Sequence, residues 1–152
     1  MTKALVSILI PVYNREKLLK RAIESAINQT YENIEVIAVD NKSTDRTYEV
    51  LKWHAEKYPD VKVYQNKENL GPVRNWKKCL EYSLGEFIKI LFSDDWIEET
   101  FVEKCMEILL AHNDVGFVYT KTYTIDGNRK YSYINDIEGK KGREYFVNES
   151  IK

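Results

Sequence analysis

Phe87-Ile88-Lys89-Ile90-Leu91-Phe92-Ser93-Asp94-Asp95-Trp96 is a mostly apolar run that stops abruptly on two adjacent carboxylates. The apolar part reads as a strand, and open α/β sheets bind their ligands at the carboxyl ends of their strands. Neighbouring acids repel each other and gain nothing from packing, so one reading is a hard cation, Mg²⁺ or Mn²⁺, that holds a phosphate ligand. The other is a helix N-cap, with Ser93 or Asp94 capping a helix that starts near Ile97 and Glu98 and Glu99 at its positive end. This stretch alone leaves both open.

The rest of the chain supplies partners for that strand. Leu5 to Val12 is a nearly continuous apolar run, the mark of a strand buried on both faces. Leu18, Leu19, Ala22, Ile23, Ala26 and Ile27 recur at helical spacing, which predicts a helix over 15–28. A second strand is expected over 34–39, a helix over 46–57, a third strand over 61–65, and a helix from Pro72 to about Ser83. Strand 87–92, helix 98–112 and a strand from about Val115 to Thr124 complete the alternation. It predicts an α/β fold with a mostly parallel open sheet flanked by helices. Asp126-Gly127 signals a late hairpin returning over 129–134, and the charged end, 139–152, has room for a short helix.

Bulk properties narrow the function. The 152 residues, 43% hydrophobic, suffice for one ordinary domain. A net charge of -1 gives no general attraction to nucleic acid, so an anion site has to be built locally. Cys79 and Cys105 lack metal-ligand spacing and read as packed, reduced thiols of a cytosolic protein. No stretch has the length and apolarity of a membrane span, and the first residues do not read as a signal peptide.

Three strand ends carry polar groups, Tyr13-Asn14, Asp40-Asn41 and Asp94-Asp95, and Arg74 lies one turn into a helix that starts beside them. An aromatic, an amide, an arginine and a metal-holding acid pair suit a nucleotide diphosphate. With six glycines and no Gly-x-Gly or Gly-Lys-Ser/Thr element, the chain has no loop that cradles phosphates directly, so a metal takes that part.

Val6 to Asn14, Gln29 to Ile37, Val39 to Asp45, Asn69-Leu70-Gly71 with Arg74-Asn75, Gly85 to Ile88 and Ser93-Asp94-Asp95, in that order, resemble the family 2 glycosyltransferases of the GT-A fold. The resemblance covers about residues 4–125. It implies a nucleotide-sugar-binding core over 1–125, followed at 126–152 by the hairpin and a charged tail that begins an acceptor region. It also implies that Pro11 and Tyr13 line the base pocket, Asn41 and Arg74 contact the base, and Asp40 lies in the nucleotide pocket. By the same resemblance, Asp94 would meet the ribose side and Asp95 would ligate Mn²⁺ or Mg²⁺. Such enzymes invert the anomeric centre, using a carboxylate base on the acceptor hydroxyl. The acceptor is a sugar or a lipid-linked sugar of cell-surface polysaccharide synthesis, which keeps peripheral contact with the inner membrane face open for a cytoplasmic protein.

Two departures matter. The family usually has Asp-Asp-Gly-Ser where this chain has Asp40-Asn41-Lys42-Ser43, so an amide replaces a carboxylate. An amide still pairs with the acceptor-donor-acceptor edge of uracil, so a UDP- or dTDP-sugar is the expected donor. Family members also continue past this length with the catalytic base, for which no motif is found; Asp126 and Asp136 have the neighbours of turn residues. A truncated donor-binding portion with weak or absent transfer is expected, and a non-catalytic nucleotide-sugar-binding module is the alternative. His54 and His112 read as packing or surface residues, Trp96 as a ligand contact more readily than Trp76, and Tyr119, Tyr123, Tyr131 and Tyr133 as cross-strand pairs.

Overall fold

The computed structural model describes residues 3–120, 122–126, 129–133 and 146–147. β1 (Val6–Val12) is buried along its whole length, as its nearly continuous apolar run suggests. β2 (Ile34–Asp40) pairs with one edge of it and β4 (Phe87–Ile90) with the other, while β3 (Val61–Gln65) extends the sheet beyond β2. All three ladders are parallel, in the order β3-β2-β1-β4. The crossovers are α1 (Leu19–Ile27), α2 (Thr47–Lys57) and α3 (Pro72–Tyr82). The first two step one way across the sheet and the third steps back, so right-handed connections put α1 and α2 on one face and α3 on the other. The helix-flanked parallel sheet expected from the sequence is the one observed.

Under α3, Leu9, Ile37 and Val39 pack against Cys79, with Tyr64 and Tyr82 stacked at 3.8 Å beside them. Burial pushes the Cys79 thiol up to about 12, which makes it an inert packing group.

The same face carries a latch at the other end of the strands. Buried Glu35 accepts hydrogen bonds from Ser7 Oγ at 2.6 Å, Leu84 N at 2.6 Å and Lys62 Nζ at 2.8 Å, while Ser7 Oγ accepts from Gly85 N at 2.8 Å. This ties β1, β2 and β3 to the turn between α3 and β4. Burial pushes the Glu35 carboxyl up, but the bonds from Lys62, Ser7 and Leu84 outweigh it and hold the group below its ordinary value of 4.5. A depressed carboxylate contributes stability above its unfolded pKa and loses it as pH falls through the folded one. Glu35→Gln is expected to cost about 2 kcal/mol at neutral pH and to flatten the loss of stability below pH 4.5, read from urea midpoints against pH. An acid limb identical to the parent's would show that Glu35 has no such role.

Two compact units divide the chain, Met1–Val102 and Glu103–Lys152. α4 (Phe101–Ala111) spans the boundary. In the second unit β5 (Tyr119–Thr120) pairs with β8 (Phe146–Val147), and β6 (Thr122–Asp126) forms an antiparallel pair with β7 (Arg129–Tyr133), the expected hairpin.

Four expectations are corrected. α1 begins at Leu19 rather than Arg15, because Arg15 N donates to Thr47 Oγ1 at 2.8 Å and Glu16 N to Asp45 Oδ2 at 3.3 Å, which holds this segment as a turn against the start of α2. α4 begins at Phe101 rather than 98: the Glu98 and Glu99 carbonyls accept from Gln29 Nε2 and Thr30 N, pinning that segment to the end of α1. The span from Val115 to Thr124 is not a fifth strand of the parallel sheet among the described residues. Its Thr122, Tyr123, Thr124 and Ile125 alternate polar with apolar, which suits a half-covered antiparallel ribbon better than a strand buried on both faces. At the chain's end, Phe146–Val147 is a strand rather than helix; Asp136, Lys140 and Lys141 lie outside the described residues.

Candidate functional site

The carboxyl ends of β1, β2 and β4 converge on one rim, and side-chain bonds weld the loops that leave them. Asn14 and Lys42 both hold left-handed backbone, with φ of 50° and 63°, conformations that bend the chain sharply away from a strand. Asn14 N donates to Ser43 Oγ at 2.9 Å, and Asn14 Oδ1 accepts from Thr44 N at 2.8 Å. Asp40 is fully buried; its carboxylate accepts from Ser43 N, Ser43 Oγ and, at 2.8 Å, Gln65 Nε2. Asp40 therefore organises its own turn and ties it to the end of β3.

Asn41, 3% exposed, is the hub of a second network. Its Oδ1 accepts from Asn66 Nδ2 and Leu70 N, both at 2.9 Å. Its Nδ2 donates to Asn69 Oδ1 at 2.8 Å and to the Gly71 carbonyl at 3.3 Å. Asn66 also donates to Asn75 Oδ1, and Asn75 Nδ2 to the Val39 carbonyl. A carboxamide has two donors and two acceptor positions, and all four of Asn41 are taken by protein. Expected from the sequence to offer its amide to a base, Asn41 instead holds the Asn69-Leu70-Gly71 turn, in which Gly71 takes a φ of 77° and Pro72 opens α3.

Facing outward from this framework are the groups free to meet a ligand. Tyr13 is 41% exposed, and Arg74 is exposed on the first turn of α3 with no hydrogen-bond or ion-pair partner among the described residues. Pro11 is buried inside β1. Asp94 and Asp95 lie in the exposed turn after β4, where Asp95 N donates to the Phe92 carbonyl. Because α4 starts only at Phe101, neither Ser93 nor Asp94 caps it, so the N-cap reading of this pair falls away. Partial burial and the adjacent Asp94 push the Asp95 carboxyl up. Arg15 Nε approaches Asp94 Oδ2 at 3.7 Å, and Lys89 offsets part of the upward push on Asp95.

A divalent cation fits this donor set: two hard oxygen donors whose mutual repulsion it would relieve. No group of three His, Cys, Asp or Glu side chains forms a metal cage among the described residues. A cation here would take its remaining ligands from a bound ligand and water, as is usual where phosphates are the substrate. Trp96 is stacked by Arg21, whose guanidinium carbon is 3.0 Å from the ring centroid, so its ring face is already engaged. Asn69 and Asn75 fall within the motifs quoted from the sequence, without a role assigned there, whereas Arg15 and Asn66 were not read as site residues.

The model of glycosyl transferase family 2 matches residues 7–151. The chain belongs to that family. It is 37% identical over 113 residues to an uncharacterized glycosyltransferase of Haemophilus influenzae, covering 74% of this chain and 45% of that protein. Chondroitin synthase of Escherichia coli is 37% identical over 123 residues, covering 80% of this chain and 18% of the synthase. Among solved structures, S. aureus TarS 1-349 in complex with UDP-GlcNAc superposes with a TM-score of 0.73 at 28% identity, over 82% of this chain and 36% of that one. The mannosyltransferase PcManGT of Pyrobaculum calidifontis in complex with GDP-Man and Mn²⁺ gives 0.67 at 27% identity, over 73% of this chain and 33% of that one. The chain thus spans less than half the length of these family 2 relatives. No helix among the described residues is long and apolar enough to cross a membrane.

Proposed function

We propose that this family 2 domain binds a nucleotide diphosphate sugar, with UDP- or dTDP-sugars preferred, and serves sugar transfer with inversion to a saccharide or lipid-linked acceptor in surface polysaccharide assembly. The observation that carries this reading is the exposed acid pair at the end of β4, with the Asp95 carboxyl pushed up beside Asp94 on a rim that also presents Tyr13 and Arg74. Asp95 holds Mn²⁺ or Mg²⁺, and Asp94, steadied by Arg15, meets the ribose side. Tyr13 stacks on the base above the buried wall of Pro11. Arg74 reaches the base from α3. When bound, the cation neutralises charge that builds on the leaving diphosphate. Asp40 and Asn41 shape the pocket by fixing its loops.

The test is calorimetric titration of UDP into the purified chain with and without Mn²⁺. Saturable binding that requires the metal supports the reading, and absence of binding under both conditions overturns it.

Asn41→Asp separates the two roles of that residue. A carboxylate there faces two acceptors, Asn69 Oδ1 and the Gly71 carbonyl, and the turn before α3 must move. UDP and GDP affinities are expected to fall together, by about tenfold, the worth of one lost hydrogen-bond network contact. If UDP alone tightened or weakened against GDP, residue 41 would be reading the base directly.

A further inference from the structure

β4 is the last strand of the four-stranded sheet among the described residues, and one of its faces is uncovered. α3 lies over β1 and β2, where Cys79 meets Leu9, Ile37 and Val39. Ile88 and Ile90 stand beside Ser7 and Leu9 on that same face, beyond the cover of the helix. Ile88 is 47% exposed and Phe92 42%, and on α3 the exposed Val73, Trp76 and Leu80 recur at helical spacing as an apolar strip along one side. Trp76 and Phe92 join helix to strand, with ring centroids 5.4 Å apart. These six side chains leave on the order of 550 Å² of apolar surface, in the range where a patch on a monomer is often functional and over half of the ~800 Å² that each partner gives to a stable dimer.

The edge of β4 is open in a second sense. Phe87 N donates to the Leu5 carbonyl at 3.3 Å and Leu91 N to the Leu9 carbonyl at 2.9 Å, so the main-chain groups of Ile88 and Ile90 point away from β1. Edges left to solvent are usually guarded by charge, proline or a bulge. β4 has only Lys89, whose ammonium lies over the Phe101 ring at 4.7 Å on the opposite face. A single added strand would satisfy this edge yet leave the strip on α3 bare. A second copy brings a strand and a helix together. Antiparallel pairing centred on Ile90 sets Ile90 against Ile90 and Ile88 against Phe92 of the other copy, with Lys89 opposite Leu91. Centring on Lys89 instead would set two lysines against each other, which disfavours that register.

We propose that β4 and α3 form a dimer interface, in which two copies of this chain join edge to edge through antiparallel β4 strands about a two-fold axis at Ile90. The paired strands make the floor of one apolar cleft, and Trp76 and Leu80 of both helices make its walls. This interface does not depend on the nucleotide reading of the strand-end rim. The experiment is sedimentation equilibrium of the whole chain up to about 100 µM, where a species of twice the chain mass is expected. Ile90→Lys should weaken association at least a hundredfold and Leu80→Lys at least tenfold, both at exposed positions, with the far-UV circular dichroism unchanged. Ile90→Cys copies should cross-link under mild oxidant where the parent does not, because hydrogen-bonded antiparallel partners have Cα atoms about 5.5 Å apart, within disulfide reach. A chain that stays monomeric overturns the proposal, and slow exchange of the Ile88 and Ile90 amides in that monomer would give the edge to another stretch of the same chain. A dimer that survives both lysine substitutions, or Ile90→Cys copies that never cross-link, would place the contact elsewhere and overturn it too.

Discussion

Asp95→Ala is expected to weaken metal-dependent UDP binding at least a hundredfold, roughly 2.7 kcal/mol, while leaving the thermal midpoint unchanged or slightly raised. Asp95 lies in an exposed turn, contributes no core area, and is pushed up by partial burial and by its neighbour Asp94. Removing it relieves a like-charge contact and takes away the carboxylate proposed to hold the cation. Calorimetry with Mn²⁺ checks the first effect and a thermal melt the second. Full retention of metal-dependent binding would move the cation elsewhere, and an unfolded variant would make the carboxylate a structural group after all.

Gly85→Ala is expected to cost about 3 kcal/mol, or roughly 10 °C in the thermal midpoint of a domain this size. The reason is proximity rather than backbone freedom. A Cβ at Gly85 would stand 2.6 Å from Ser7 N, 2.6 Å from Ser7 Oγ and 2.9 Å from the Leu5 carbonyl. Two of those atoms are backbone of the sheet's central strand and its lead-in, which cannot rotate away. Ser7 Oγ is the hydroxyl that joins Glu35 to Gly85 N, so a displaced Ser7 also removes one of the three hydrogen bonds on the buried Glu35 carboxylate. Urea denaturation measures the loss directly; a variant within 0.5 kcal/mol of the parent, an ordinary surface effect, would contradict this account.

The parts of the molecule legible in the sequence are those set by local pattern. Val6–Val12 and Ile34–Asp40 are mostly apolar runs whose pattern marks strands buried on both faces, and Pro72 after Gly71 marks a helix start to the residue. Element ends were less legible, because contacts distant in sequence decide them. Thr47 Oγ1 claims Arg15 N, and Gln29 claims the Glu98 carbonyl, so neither α1 nor α4 begins where periodicity alone would start it. The strand ends that carry Tyr13, Asp40 and Asp95 could be picked out as a set, since topology brings strand ends of one direction to one rim. What each side chain does there could not. The fourfold engagement of Asn41 depends on amides and backbone from residues 66–71, and its partner list is invisible until β2 and β3 lie side by side. Arg15 beside Asp94 likewise joins segments that only the pairing of β1 with β4 brings close.

That pairing has a kinetic consequence. On one side Val6 stands opposite Ile34, on the other opposite Phe87, so closing the second ladder draws together a loop about three times as long, at roughly 1 kcal/mol more in chain entropy. Distant pairings of this kind form late and slow a folding reaction. The clasp between Asn14 and the turn after Asp40 can be complete while the acid pair is still far from it, so a nascent chain acquires its frame first and its charge last. A ligand that grips Asp95 would then act as a fastener on the last strand to arrive, favouring the finished sheet over every shorter intermediate by mass action.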